Sequence, residues 1–424
     1  RLTGQYFRTI SDTYFRRYDI PNINDTDSFL RSHLTGEYFG TRFYAQAKMW
    51  HFQSLSSDVN SRSIPIVIPT LNATYRTPSL LDNLDLSAYT QLNGAIYSTR
   101  ENFKSNRLSF TQGLTLPFAT SFGLLIQNNA SARVDGYALD TGNNSLVSKH
   151  DNDTYNKGRF YPVASTKISY PLVAQTQNST QILEPIAMMV ISPNSKNSNA
   201  IPNIDSTVFD FDNTNLFVEN RFSGYDRVET GSRLSYGLKW SAYNNNAKNQ
   251  ALSFLFGQVY RLHKTDEMTD VMGYSNHLSD YVGNVQLDSQ YFNLYYRFRL
   301  NRENLAKRKN DIGVSAGVEP LRLGINYLFQ GAYTLDNQNY NEENEIRFWM
   351  SSKLTKNWQA NGFYRYNLKK NGGPIEYGAQ LRYDNECTAL VFSFDKSFAR
   401  DRNYKGSTSF MVKVFLKTLG GIGE

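Results

Sequence analysis

The sequence has almost no cysteine, no long apolar run, no block of like charge and no recognisable catalytic motif. One cysteine, Cys387, stands among 424 residues, so no internal disulfide framework holds the chain. A single cysteine is either a free thiol or, in an oxidising compartment, half of a bond to something outside the chain. No stretch approaches the roughly 18 consecutive apolar residues that a membrane helix needs. That excludes helical spans only. The strands of a transmembrane barrel turn half their residues to water and keep the mean hydropathy low, and here it is −0.53. The net charge of +7 and pI near 9.1 permit an anionic partner without demanding one. The densest basic cluster, "LAKRKN" (305–310), reads as a solvated loop, and no basic arm for nucleic acid is present.

Chemistry-bearing constellations are missing too. His33, His51, His150, His263 and His277 are scattered, with no pair at metal-ligating spacing. No Gly-rich phosphate loop opens a helix, and no serine sits in a nucleophile elbow. "FDFDNTN" (209–215) begins like a calcium loop, with Asp210, Asp212 and Asn215, but lacks the glycine turn and the closing glutamate. No cofactor or metal is called for, and an enzyme is not expected. The absence of fixed-period repeats counts against a propeller or solenoid. The chain opens directly on strand-like sequence, "RLTGQYFRTI", and is expected to be cut from a longer protein, so a missing signal peptide says nothing of compartment.

What is abundant is aromatic and alternating. Tyr (29), Phe (27) and Trp (4) make up 14% of the chain, which suits aromatic girdles around a barrel and equally a secreted β-sandwich. Period-two alternation recurs in segments of strand length. Leu234, Tyr236, Leu238 and Trp240 oppose Arg233, Ser235, Gly237 and Lys239. In 291–300, Phe292, Leu294, Tyr296, Phe298 and Leu300 oppose Tyr291, Asn293, Tyr295, Arg297 and Arg299. In 376–383, Tyr377, Ala379, Leu381 and Tyr383 oppose Glu376, Gly378, Gln380 and Arg382. Near the end, Phe410, Val412, Val414 and Leu416 oppose Met411, Lys413, Phe415 and Lys417. Few segments are apolar on both faces, as central strands of a large soluble core often are. Long polar connections (141–158, 192–206, 262–286, 334–345, 367–375) contrast with tight turns such as "LTKNWQ" (354–359), the pattern of outer-membrane barrels. At about 20 residues per strand and turn, roughly twenty strands are expected. The fold class predicted is all-β, a large antiparallel transmembrane β-barrel. A passive porin, a soluble glycan-binding β protein and an outer-membrane hydrolase share parts of this pattern.

One stretch departs from it. In "FVENRFSGYDRVETGSRLSYGLKW" (217–240), the alternating half is preceded by Glu219, Arg221, Asp226, Arg227 and Glu229, dense in charge. An active site, a nucleic-acid surface or a water-filled lumen would each account for it.

The stretches "ILEPIAMMVISP" (182–193), "NIDSTVFDFDNTNLF" (203–217), "NRFSGYDRVETGSRLSYGL" (220–238), "LRYDNECTALVFSFDKSF" (381–398) and "FLKTLGGIG" (415–423) resemble the LptD family of outer-membrane lipopolysaccharide assembly proteins. The resemblance covers nearly the whole chain, weakly before residue 160. It implies a segment of a 26-stranded barrel whose preceding periplasmic jellyroll domain, absent here, receives lipopolysaccharide from a periplasmic bridge. It further implies an LptE-like lipoprotein plugging the lumen and sideways exit of the lipid between the first and last strands. Residues 1–424 would be one outer-membrane barrel domain, incomplete at its N-terminus. The gate strand present would run through 408–417 (Phe410, Met411, Val412, Lys413, Val414, Phe415, Leu416, Lys417). Candidates for lining the lumen or meeting the plug are Glu184, Asp205, Asp210, Glu219, Arg221, Asp226, Arg227, Glu229 and Arg233, with the charges of 217–229 solvated and paired there. The family's usual adjacent cysteines are here reduced to Cys387, preceded by Glu386, so at most one interdomain disulfide is expected.

Overall fold

The computed structural model describes residues 1–10, 29–55, 61–81, 84–100, 103–140, 154–195, 197–206, 210–247, 250–263, 273, 277–335, 338–400 and 405–417. It is built of strands: β1 Leu2–Gln5, β2 Phe29–Phe39, β3 Phe43–Ser54, β4 Ile66–Arg76, β5 Ser87–Ser98, β6 Lys104–Ala119, β7 Leu125–Asp140 and β8 Thr154–Ser169. The chain continues through β9 Leu172–Gln175, β10 Ser179–Ile191, β11 Arg233–Asn244, β12 Ala251–Arg261, β13 Tyr281–Asp288, β14 Phe292–Leu300, β15 Lys307–Val318 and β16 Leu321–Gln330. A small hairpin, β17 Tyr333–Leu335 and β18 Gln338–Tyr340, precedes β19 Glu343–Lys353, β20 Trp358–Asn367, β21 Pro374–Asp384, β22 Thr388–Arg400 and β23 Lys405–Leu416. Apart from that hairpin, the strands form one 21-stranded sheet in which each except β8 pairs antiparallel with the next sheet strand along the chain. Strands β8 and β9 both pair with β10, interrupted at Tyr170–Pro171, where proline has no N–H for the ladder. The expected strand count of about twenty is met. Among the described residues β1 pairs only with β2, and β23 only with β22.

The sheet is apolar on the outside and polar within. In β6, Leu108, Phe110, Leu114 and Phe118 are exposed, while Ser105, Arg107, Ser109 and Thr111 on the opposite phase of the strand are buried. The alternation read from the sequence holds in β11 and β23, where Tyr236, Leu238, Phe410, Val412, Val414 and Leu416 face outward and exposed. An exposed apolar surface of this extent matches hydrocarbon rather than water. Short turns (40–42, 120–124, 176–178, 319–320, 354–357, 385–387) lie at one rim, and the long connections lie at the other.

The polar face is concave. Asp205 accepts a hydrogen bond from Tyr97 of β5 at 3.4 Å, and Asp210, five residues on, pairs with Lys309 of β15. Those strands are nine pairings apart, about 43 Å in a flat sheet at about 4.8 Å per strand. Five residues of extended chain span at most about 18 Å. Strand side chains stand roughly perpendicular to their sheet and cannot bridge the rest. The sheet therefore curls around residues 192–232, which connect β10 to β11 from the long-loop rim.

Candidate functional site

Residues 192–232 form no strand or helix among the described positions, yet Ile201, Phe211, Leu216, Arg221, Asp226, Val228 and Glu229 within them are buried. Two glycines make room for them. Gly237 and Gly257 face each other across β11 and β12, and a Cβ on Gly257 would fall 2.4 Å from Leu216, one on Gly237 3.1 Å from Phe217. Leu216 enters that recess and packs with Phe211, Val259 and Val282. Val228 packs on Tyr161, Val163, Met188 and Val190. These apolar anchors fix the segment against the wall, and the charged residues then meet partners at defined distances.

The first ionic cluster centres on Glu229, which is 0% exposed. Its Oε1 lies 2.5 Å from Arg221, 3.3 Å from Arg233 and 3.3 Å from Arg261. One carboxylate cannot neutralise three guanidinium groups, and backbone carbonyls take their surplus donors. Arg221 donates to Asn215 (2.8 Å) and Leu216 (3.2 Å), Arg233 to Val218 (3.3 Å) and Glu219, and Arg261 to Thr230. Tyr161 closes the cluster with a 2.6 Å bond to the Glu229 carbonyl. Burial pushes the Glu229 carboxyl up, but the three arginines outweigh it and hold it below the usual carboxylate range.

The second cluster joins the segment to β5–β8. Arg107 reaches Asp226 at 2.6 Å and Asp205 at 2.8 Å, and donates to Asn93 at 2.9 Å. Asp205 accepts the backbone N–H of Tyr225 (3.1 Å) and Asp226 (3.0 Å), and Asp226 accepts those of Ile204 (2.8 Å) and Asp205 (3.1 Å). Asp135 of β7 binds Arg159 at 2.7 Å and Arg133 at 3.2 Å, and both arginines donate to the Tyr225 carbonyl. The Tyr225 ring meets Arg107 at 5.0 Å and Arg133 at 5.4 Å, within cation–π range. Burial raises Asp226, and so does the carboxylate of Asp205 beside it, against the pull of Arg107. Asp205 feels the same burial, but Arg107 and the two backbone N–H groups bring it below its ordinary value.

Gly224 explains the spacing of "RFSGYDR". Its φ is +71°, and a Cβ there would lie 2.4 Å from the Asp205 carbonyl and 2.6 Å from its carboxylate. Only glycine lets Tyr225 and Asp226 present their N–H groups to Asp205 at this turn.

Of the residues singled out in the sequence, Asp205, Asp226, Arg221, Glu229 and Arg233 come together in these two clusters. Arg227 donates to the Ile201 carbonyl at 2.8 Å. Glu219 accepts a 2.6 Å bond from Ser165 of β8. Asp210 pairs with Lys309 and, at 3.6 Å, Arg299. Glu184 stands opposite Lys239 across β10 and β11, outside both clusters. Cys387 is exposed in the turn between β21 and β22, on the short-turn rim, where its carbonyl accepts the Lys417 N–H at 2.9 Å. Residues 410–416 lie in β23, with Lys417 just past its end beside Asp384; the rest of the closing stretch, 418–423, lies outside the described residues. The expectation of solvated charges needs correcting. Of the charges in 217–229, Arg221, Asp226 and Glu229 are buried and Glu219 and Arg227 half-buried, because the segment's own apolar anchors hold it against the wall. The calcium-like stretch is a turn in which Asp212 caps Thr214 and Asn215 binds the Asp210 carbonyl. No group of three potential metal ligands occurs among the described residues.

Sequence reasoning missed Arg107, Arg133, Asp135, Arg159 and Arg261. Each occupies an inward phase of an alternating strand, so the signal was an arginine or aspartate where a small polar residue would suffice. Which segment they met depends on contacts up to 119 residues apart.

An antiparallel sheet with an apolar exterior and a charged, segment-filled interior defines a protein of the outer-membrane type. Residues 3–370 match the family described as LptD, LPS transport system D, and the chain belongs to that family. It is similar to the LPS-assembly protein LptD of Vibrio cholerae (24% identical, 92% of this chain and 51% of the relative). The same protein of Pectobacterium atrosepticum is 22% identical over 98% of this chain and 56% of the relative. The chain thus spans about half the length of the curated relatives it matches. Among solved structures, the siderophore receptor PirA of Acinetobacter baumannii aligns over 93% of this chain and 71% of its own, at 9% identity and a TM-score of 0.39. The protein is located in the bacterial outer membrane.

Proposed function

We propose that this chain is the membrane-embedded part of a translocon that inserts lipopolysaccharide into the outer leaflet. The observation that carries the reading is the sheet's inversion, with apolar side chains outward and a wall of arginines, carboxylates and amides inward. Lipopolysaccharide combines an anionic glycan with several acyl chains, and moving its charges through hydrocarbon would be costly. A polar interior hosts the glycan while a seam lets the acyl chains stay in lipid. In this proposal the seam lies along β23, with Phe410, Val412, Val414 and Leu416 on its lipid face and Met411, Lys413 and Phe415 toward the interior. The first strand of the whole barrel would form the other side. Residues 192–232 serve as a fixed inner buttress, and an LptE-like lipoprotein occupies the remaining interior. In this proposal a jellyroll domain takes the lipid from a periplasmic bridge, and Cys387, which is exposed, bonds to that domain.

A passive porin is the second reading. The buried segment 192–232, which blocks one side of the interior with ion pairs and apolar anchors, favours the translocon. The test is depletion of the full-length protein in its source bacterium while newly made lipopolysaccharide is followed to the surface. Surface delivery should stop while other outer-membrane barrels still assemble. Unchanged delivery overturns the proposal.

A further inference from the structure

The inserted segment covers the inner face of the sheet only as far as β15. The register carries the same inward face onward, from Lys309 through Asn326, Arg347, Arg365, Glu376 and Ser397 to Ser407 of β23. A cavity of about 670 Å³ opens along this stretch of wall, inside the roughly 300–1,000 Å³ range of small-molecule sites.

Its lining has a specific chemistry. Trp349 donates its indole N–H to Asn326 at 3.0 Å, and its ring lies across Gly324, where a Cβ would be 2.2 Å from the ring. Phe363 likewise lies across Gly378, with a would-be Cβ 2.7 Å away. Each ring is held against the wall by the glycine opposite it in register. Arg347 sits 4.8 Å over Phe363. Between and beside the rings stand Glu376, Gln380 and Asp395, mixing acceptors that are charged with an amide that both donates and accepts.

We propose that this cavity is an oligosaccharide-binding subsite on the inner wall, next to the last strand. Pyranose rings carry apolar C–H faces that stack on aromatic rings and hydroxyls that need both donors and acceptors, and the cavity supplies both. In the lining Glu376 and Asp395 stand against Arg347 and Lys396, so no cationic surplus selects an isolated phosphate, and the charged and amide groups disfavour an acyl chain. The subsite rests on the translocon reading for its ligand, the glycan part of lipopolysaccharide. Its place beside Ser407 and Ser409 of β23 would hold the sugar while the acyl chains reach the seam.

The test uses the full-length protein with its lipoprotein partner in detergent, titrated calorimetrically with lipid-free core oligosaccharide and, separately, inorganic phosphate. The oligosaccharide should bind, phosphate should not compete, and the double variant Arg347→Ser/Gln380→Ala should bind at least tenfold more weakly while keeping its folded gel mobility. Hydroxyl-radical footprinting of the unmodified protein gives a second readout that needs no variant. Bound oligosaccharide should protect Trp349 and leave Trp358, near the short-turn rim, unchanged. No binding to the unmodified protein, displacement by phosphate, an unaltered affinity in the folded double variant or equal protection of both tryptophans would overturn the subsite. Binding that persists although depletion leaves surface delivery intact would keep the subsite and remove the translocon. Lost delivery with no binding would do the reverse.

Discussion

Glu229 ties the inserted segment to the inner wall through Arg233 and Arg261. It faces Arg221, Arg233 and Arg261 with no solvent to share the charge. Removing one partner of a buried ionic group costs about 3–5 kcal/mol, because the remaining charges stay buried. Glu229→Gln should therefore lower the thermal transition of the folded protein and make residues 192–232 sensitive to protease. A variant that keeps both properties would show that the arginines are satisfied by backbone carbonyls alone. Gly224 offers a backbone test of the second cluster. Gly224→Ala adds a methyl group into Asp205 and places a side chain at positive φ, a conformation that by itself costs about 1–3 kcal/mol. Assembly should fall, as read by the fraction of protein with folded gel mobility. Gly373→Ala, where a Cβ meets nothing within 4 Å, should leave that fraction unchanged.

The strands are the elements the sequence announces most clearly, because period two is local. Eight residues such as 233–240 show which face is apolar, and β11 and β23 follow that reading. The inserted segment is different. Its charges were visible in 217–229, but their burial was not, because Leu216 and Phe217 find their recess only when Gly237 and Gly257 are brought together across two strands. Arg107 and Asp226 are likewise far apart in the chain and read separately as polar residues on unrelated elements. This dependence gives an element-scale expectation. Gly257→Val should fill the recess and expel Leu216, so that protease cleaves within 192–232 while the sheet keeps its heat-resistant mobility. Retained protection would mean that the ion pairs hold the segment without the apolar anchor.

For the whole molecule, the two clusters set a dependence on pH. Asp205 and Glu229 are depressed in the folded state, so their stabilisation is present above the unfolded carboxylate values near 4 and is lost as pH falls through the folded ones. Asp226 is raised, and its contribution has the opposite sign, lost as pH climbs from about 4 through its folded value. Thermal unfolding between pH 3 and 8 should show falling stability below about pH 4. Asp226→Asn should remove the decline on the rising side and leave the acid limb intact. An acid limb that vanishes with Asp226→Asn would assign the dependence to the wrong carboxylate.

The proposed release of lipopolysaccharide along β23 can be tested with a photo-cross-linking residue at Val412, which faces outward and is half-exposed, in cells making the full-length protein. A second probe at Leu238, equally outward-facing on β11, reports ordinary contact with the leaflet. Cross-links to lipopolysaccharide should form at Val412 while the cells make new lipopolysaccharide and fade when its synthesis is blocked, with Leu238 unaffected. Equal cross-linking at both positions that does not depend on new synthesis would contradict release at this strand.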